Sequence, residues 1–378
     1  MRRGLITLLT VALALSCALP AEAAKRKVPR GFYGVMWNRA ATSVPEELHD
    51  AQFARMARAG VESVRTVFYW SAAQPVAGEP PGFAATDHVV ALAAARRIDV
   101  LPVVIYTPAW AAQYPGRAGS PPVRPSDYAA YLTALVGRYG PKGTFWAENP
   151  ALPKVPIRRW QIWNEPNFDD YWHVEGGRSW VPGYAALLKA SYTAVKSADP
   201  GATVLMAGLS NFPWNYLADI YRAGAKKSFD AIAVNPFTSY LPNVIRIVRK
   251  TRAFLRKHGQ GRKPVWITEL TWPASKGQAP GKQRLFWERR WETTPKGMAR
   301  QLSKVYKLVA KMRKRERIAR LYWYTWATSY KGNDLFDYDG LLRWDGTAFS
   351  TTPALSAYTS SARRHQGCVK TAAGLCRR

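Results

Sequence analysis

The chain is poor in the residues that most often carry metal, thiol or nucleophile chemistry. It has 3 cysteines and 5 histidines in 378 residues. The histidines, His49, His88, His173, His258 and His365, are scattered without ligand spacing, and no cysteine cluster supports zinc. No glycine-rich phosphate loop follows an early strand-like segment, and no serine nucleophile elbow is present. After the first residues no apolar run is long enough to cross a bilayer. Acidic residues are scarce as well: 25 Asp and Glu stand against 55 Lys and Arg, a net charge of +30. Such an imbalance points to an anionic neighbour, whether a charged polysaccharide, an envelope polymer, a membrane surface or nucleic acid. Nucleic-acid recognition modules are missing, so nucleic acid is not the expected partner.

The first residues read as a processing signal. Arg2 and Arg3 form a basic start, Leu5 to Leu19 is apolar, and Ala21-Glu22-Ala23 is a small-x-small cleavage site. The expectation is secretion with residues 1–23 removed. The alternative is a lipoprotein anchored at Cys17. Cys368 and Cys376 lie in a basic tail, residues 363–378. In an oxidising compartment they would close a small terminal loop, the alternative being two free thiols on a frayed end.

What is present is an alternating pattern. Strand-like runs are expected at Gly31–Asn38, Val61–Trp70, Asp99–Tyr106, Ile157–Trp163, Thr203–Leu209, Phe229–Asn235, Val265–Leu270 and Ile318–Trp326. Helical patterns fall between them, at Pro45–Ala59, Thr86–Arg97, Pro125–Tyr139, Pro182–Ala198, Asn215–Ala223, Leu241–His258 and Pro295–Arg315, with Pro353–Ala362 closing the chain. Eight strands alternating with helices predict one α/β domain over residues 25–362, a (β/α)8 TIM barrel. In such barrels the chemistry sits at the C-terminal ends of the strands.

Two of these runs end in glutamate. The fourth leads into Trp163-Asn164-Glu165-Pro166, and the seventh contains Thr268-Glu269. Two carboxylates at the tips of buried strands are what glycosidic bond cleavage needs. One gives a proton to the leaving oxygen, and the other attacks or stabilises the sugar cation.

With these motifs the chain resembles the retaining glycoside hydrolases of clan A, nearest to their families 5 and 39. The resemblance spans Gly31 to about Ser360, and its strand-four motif is the more specific of the two. It implies that Glu165 is the general acid/base and Glu269 the nucleophile. It further implies that Asn164 bonds the sugar 2-hydroxyl, Arg65 orients the nucleophile, and Trp326 floors the sugar subsite at the scissile bond. The chain departs from the family pattern near strand six. There Asn235 replaces a histidine, and no tyrosine follows directly, although Tyr240 could substitute from the loop. Tryptophans at strand ends and in loops, namely Trp70, Trp110, Trp172, Trp272 and Trp326, are candidates to line the cleft. Trp160, Trp266 and Trp323 read as packing.

The expected substrate is a poly- or oligosaccharide, the expected state a monomer, and no metal or organic cofactor is implied. Rival readings are a non-catalytic carbohydrate-binding protein, an envelope-attachment protein on the same barrel, and a transglycosylase. Basic residues crowd two late helices. One group runs Arg246, Arg249, Lys250, Arg252, Arg256, Lys257, Arg262 and Lys263. The other runs Lys304, Lys307, Lys311, Arg313, Lys314, Arg315, Arg317 and Arg320. They are expected to merge into a cationic wall, either a solvated face or a means of retention on an anionic cell-envelope polymer.

Overall fold

In a computed structural model the described residues are 25–37, 44–210, 212–278 and 286–367. The leader, Cys17, and the Cys368–Cys376 pair lie outside them. The barrel strands are β1 (Tyr33–Met36), β2 (Ser63–Tyr69), β3 (Asp99–Ile105), β4 (Arg159–Ile162), β5 (Thr203–Met206), β6 (Leu209–Ser210), β7 (Ile232–Asn235), β8 (Val265–Ile267) and β9 (Ile318–Tyr324). All pair in parallel, in the order β5-β4-β3-β2-β1-β9-β8-β7-β6.

Nine strands make an eight-stranded barrel because β5 and β6 are one strand interrupted at Ala207 and Gly208. β5 pairs with β4, β6 pairs with β7, and a parallel bridge between Leu205 and Ala231 joins the two ends of the sheet. The expected (β/α)8 barrel is the fold.

Six helices of the outer ring and the C-terminal end begin with proline in the first turn, where its missing N–H costs nothing. The first full helix, His49–Ala59, follows a short 3-10 turn at Glu46–Leu48. It stops at Gly60, whose φ of 86° is the left-handed cap that glycine adopts without a Cβ penalty. One unit was not expected. After the barrel, β10 (Ala327–Thr328), β11 (Leu342–Trp344) and β12 (Phe349–Thr351) form a small second sheet.

Alternate strand residues fill the barrel in layers. At the N-terminal end Asp99 accepts from Arg320 at 2.8 Å and from Arg159 at 3.5 Å. Above this lies an apolar layer of Leu101, Leu205, Ala231, Ala233, Trp266 and Tyr322. Gly34 makes room for it, since a Cβ there would sit 2.5 Å from the Tyr322 ring. One step further toward the C-terminal ends come Arg65, Gln161, Asn235 and Thr268, all buried. The larger apolar core, Trp160 and Trp323 included, packs between sheet and helices. No described helix is long and apolar enough to cross a membrane.

Candidate active site

The buried polar layer carries both glutamates. Arg65 is fully buried and donates to three oxygens, Nη1 to Glu269 Oε1 at 2.6 Å, Nη2 to Asn164 Oδ1 at 2.8 Å and Nε to Gln161 Oε1 at 2.9 Å, with Nη1 also directed at Met36 Sδ at 2.6 Å. The planar guanidinium presents its donors in a rigid fork, which fixes the positions of these acceptors relative to one another. Gln161 in turn donates to the Trp163 carbonyl at 2.9 Å.

On the opposite side Asn235 Nδ2 donates to Glu165 Oε1 at 2.9 Å, and Asn235 Oδ1 accepts from the Thr268 hydroxyl at 2.7 Å. Asn164 adjoins Glu165, and Thr268 adjoins Glu269. The bonds therefore close a ring through Glu165, Asn235, Thr268, Glu269, Arg65 and Asn164. The expected cluster of Glu165, Glu269, Asn164, Arg65 and Asn235 is brought together at the C-terminal end of the barrel. Gln161, Thr268 and Gly208 complete it.

Gly208 interrupts the fifth barrel strand for a reason visible here. A Cβ on it would lie 2.8–3.1 Å from the Asn235 carboxamide, and its carbonyl accepts the Glu165 backbone N–H at 3.0 Å.

The backbone around the acid is held in unusual conformations. Trp163 has φ 66°, Glu165 φ 40°, and Tyr106, at the end of the neighbouring β3, φ 66°. Left-handed non-glycine residues cost about 1–3 kcal/mol each and persist where the surroundings over-determine them. Pro166 disfavours the right-handed alternative for Glu165. Trp163 is locked by its indole N–H bonded to the Tyr171 carbonyl at 2.6 Å and by edge contact with Trp172 at 5.2 Å.

The two carboxyl groups are not equivalent. Burial pushes Glu165 up to about 8, helped by the charge of Glu269 and opposed by the Asn235 N–H and Arg65. Burial raises Glu269 too, while Arg65 pulls it back by charge and by hydrogen bond. Because the Glu269 charge raises Glu165, Glu269 is the group that ionises first.

The aromatic expectations need correction. Trp326 is fully buried beyond the end of β9, with its indole N–H to Gln52 Oε1 at 3.3 Å and its backbone N–H to the Met36 carbonyl at 2.7 Å. Gln52 belongs to the helix His49–Ala59, so Trp326 packs in the outer layer. Tyr324, two residues along from the interior Tyr322, instead presents its half-buried ring at the mouth beside Phe237, at 6.2 Å and 88°.

Trp172 is wedged under the strand-four loop between Trp163 and Tyr184, and with Tyr114 and Arg178 it lines a separate pocket of about 330 Å³ that contains neither glutamate. Trp70 and Trp272 are likewise buried, and Trp110 turns its N–H to the Gln74 carbonyl at 2.9 Å. Tyr240 stands 63% exposed on the loop after β7, outside the buried ring. At the opposite rim Tyr69 and Tyr106 stack at 5.8 Å and 8°. A cavity of about 660 Å³, lined by Trp37, His49, Phe53 and Phe68 among others, lies between β2 and its flanking helices and contains neither glutamate.

The basic face is also less uniform than the sequence pattern implies. Arg252 turns inward to the Gly261 and Lys263 carbonyls, and Arg320 lies inside the barrel. Lys263 folds over Phe229, 3.6 Å from the ring centroid. Arg249 pairs with the buried Glu316 at 3.0 Å. Around that pair a surface notch of about 350 Å³ is lined by Arg249, Lys250, Arg256, Arg315 and Glu316.

No family model matches the sequence, and no curated protein matches it. Solved structures do. A family 39 glycoside hydrolase from the gut symbiont Bacteroides cellulosilyticus WH2 is similar over 90% of this chain, at 20% identity and a TM-score of 0.64. The chain spans 65% of that structure's length. A glucosidase from Croceicoccus marinus gives 16% identity, 90% of this chain, 69% of its own and a TM-score of 0.62. A family 5 enzyme from Streptomyces cattleya, solved with a mannose-β1,4-N-acetylglucosamine disaccharide, gives 18%, 88%, 80% and 0.61. At these identities the likeness establishes the fold. The expected resemblance to clan A glycoside hydrolases of families 5 and 39 holds at that level.

Proposed function

We propose that this chain is a secreted retaining glycoside hydrolase in which Glu165 is the acid/base and Glu269 the nucleophile. The observation that carries the reading is the unequal support of two buried carboxyl groups in one hydrogen-bonded ring. Glu269 has a guanidinium at 2.6 Å, whereas the Glu165 carboxyl is bonded to a neutral amide and stays protonated up to about pH 8. At neutral pH one group is then a carboxylate and the other an acid, as double displacement requires.

In the first step a Glu269 oxygen attacks the anomeric carbon while Glu165 gives its proton to the departing oxygen. A glycosyl-enzyme forms and the leaving sugar departs as an alcohol. In the second step Glu165, now a carboxylate, takes a proton from water. The resulting oxygen attacks the same carbon, and Glu269 is released. Asn164 commits its carbonyl oxygen to Arg65, which leaves its N–H groups to donate to a sugar hydroxyl. Transfer to a sugar acceptor differs only in what replaces water.

The test is turnover of neutral and acidic oligosaccharides and aryl glycosides, with the anomer of the first product read by proton NMR. Retained configuration supports the assignment. Inverted product, or no turnover across the panel, removes it. The leader and the basic face extend the reading: export of the enzyme, and its retention on an anionic envelope polymer through the notch around Arg256 and Arg315.

A further inference from the structure

Among the described residues, the aromatic rings that stand out in solvent are Phe168, Phe212 and Tyr240, at 40%, 57% and 63% exposure. They are not scattered. Each lies on the loop that leaves one of three successive barrel positions, β4, β6 and β7. All three loops are on the face that carries the glutamates.

The first ring is tied directly to the acid, since the Phe168 backbone N–H donates to the Glu165 carbonyl at 3.0 Å. The second is tied to the first. Asn167 Nδ2 donates to Ser210 Oγ at 3.2 Å, which joins the residue before Phe168 to a position two residues before Phe212. The third is anchored from the loop after β8, where the Trp272 indole N–H donates to the carbonyl of Ser239, the neighbour of Tyr240. Phe212 also meets Trp214 edge-on at 5.6 Å.

Among the described side chains every other aromatic is buried or half-buried, so three exposed rings in one sector of the active face are a surface with an occupant. Glu165 fixes which occupant. The acid must touch the leaving oxygen, so the sugar that departs lies on the side of Glu165 and of the loops beside it. Flat rings on those loops match the apolar C–H faces of pyranose units, and the hydroxyl groups around each sugar's edge stay in water. We propose that Phe168, Phe212 and Tyr240 form consecutive leaving-group subsites for at least two pyranose units. The natural substrate is then a chain extended on that side of the scissile bond, and the same rings hold any sugar acceptor in transfer. This inference rests on the assignment of Glu165 as the acid.

The experiment compares 4-nitrophenyl monoglycosides of glucose, xylose, mannose and galactose with unlabelled hexasaccharides of the same sugars. It uses the full chain and its Phe168→Ala, Phe212→Ala, Tyr240→Ala triple variant. The measured quantity is the ratio of kcat/KM for hexasaccharide to kcat/KM for nitrophenyl glycoside. Removing one stacked ring costs up to about tenfold, so the ratio should fall by about a hundredfold in the triple variant. A Phe212→Trp, Tyr240→Trp variant should restore most of it, which a general loss of folding would not allow. An unchanged ratio in an active enzyme overturns the subsites and leaves the hydrolase standing. If the wild type cleaves nothing, the hydrolase reading is the one that fails, and hexasaccharide binding by calorimetry decides the rest. Binding lost in the triple variant keeps the rings as a sugar-chain surface. Binding absent in the wild type, or equal in both, removes them.

Discussion

Asn235 holds Glu165 and Thr268 at once, giving its N–H to the carboxyl at 2.9 Å and taking the threonine hydroxyl at 2.7 Å. Its orientation is thereby fixed, because the carboxamide has one donating and one accepting end. The N–H favours the carboxylate form of Glu165, so it restrains a pKa that burial drives upward. Asn235→Ala should therefore move the basic limb of the kcat/KM–pH profile to higher pH and lower kcat by about tenfold to a hundredfold. A profile that keeps its basic limb in place would show that Asn235 does not act on the acid.

Gly208 should act through the same residue. A Cβ at 2.8–3.1 Å from the Asn235 carboxamide cannot coexist with its present position. Gly208→Ala is expected to reproduce the kinetic defect of Asn235→Ala although position 208 offers no group to a substrate. The double variant should be hardly worse than either single one, since both remove one interaction. Multiplying defects would mean that Gly208 has a separate role.

Much of this arrangement was legible in the chain. The β-rich runs ending near Glu165 and Glu269 placed both on one face, and the resemblance singled out Arg65 on the second barrel strand and Asn235 on the sixth, which the closed barrel brings to that face. The supporting residues were not. Gln161 and Thr268 look like ordinary strand residues, and Gly208 like a strand end. Their partners are brought near only when distant strands meet.

The aromatic floor was misread for a related reason. In Tyr322-Trp323-Tyr324-Thr325-Trp326 every second residue could face the cleft. The strand ends at Tyr324, and the Trp326 N–H is taken by the Met36 carbonyl of β1, a contact no local pattern announces. The second sheet, with strands of two and three residues, is too short to leave a period.

Removing the acid should separate the two chemical steps. Glu165→Gln should slow cleavage of poor leaving groups by several orders of magnitude and activated aryl glycosides far less, because the latter need little protonation. Azide should rescue the second step and give a glycosyl azide of retained configuration. Equal losses for both leaving groups would take the acid role away from Glu165.

The same variant makes a stability prediction. The folded pKa of Glu165 is about 8, against about 4.3 for an unperturbed glutamate. Between those values the native chain binds a proton that the unfolded chain has lost, so stability falls as pH rises through the window. Glutamine keeps an acceptor for Asn235 and cannot ionise. Glu165→Gln should raise Tm relative to wild type at pH 9, with little difference at pH 4, as read by calorimetry. A gain at pH 4 as large as that at pH 9 would show that the proton is not involved.

The basic face makes the last prediction, and the structure alters which residues can test it. Arg249 is the nearer of two arginines paired with the buried Glu316, at 3.0 Å against 3.4 Å for Arg315, so replacing it would weaken the compensation of a buried charge and confuse binding with stability. Arg256, Lys307 and Lys314 are exposed and are the better choices. If the face retains the enzyme on an anionic envelope polymer, attraction acts over about 10 Å at 0.1 M salt and about 3 Å at 1 M. Retention on isolated envelopes should fall steeply between these concentrations. The triple glutamine variant should lose retention at low salt in the same way. These side chains lie on or just after the ring helices, while the glutamates lie inside the barrel mouth. Turnover of a small neutral glycoside should therefore follow neither the salt nor the substitutions. Envelope binding by the variant equal to wild type at 0.1 M salt would reduce the face to a solvated surface. Loss of small-substrate turnover would mean that face and site are coupled.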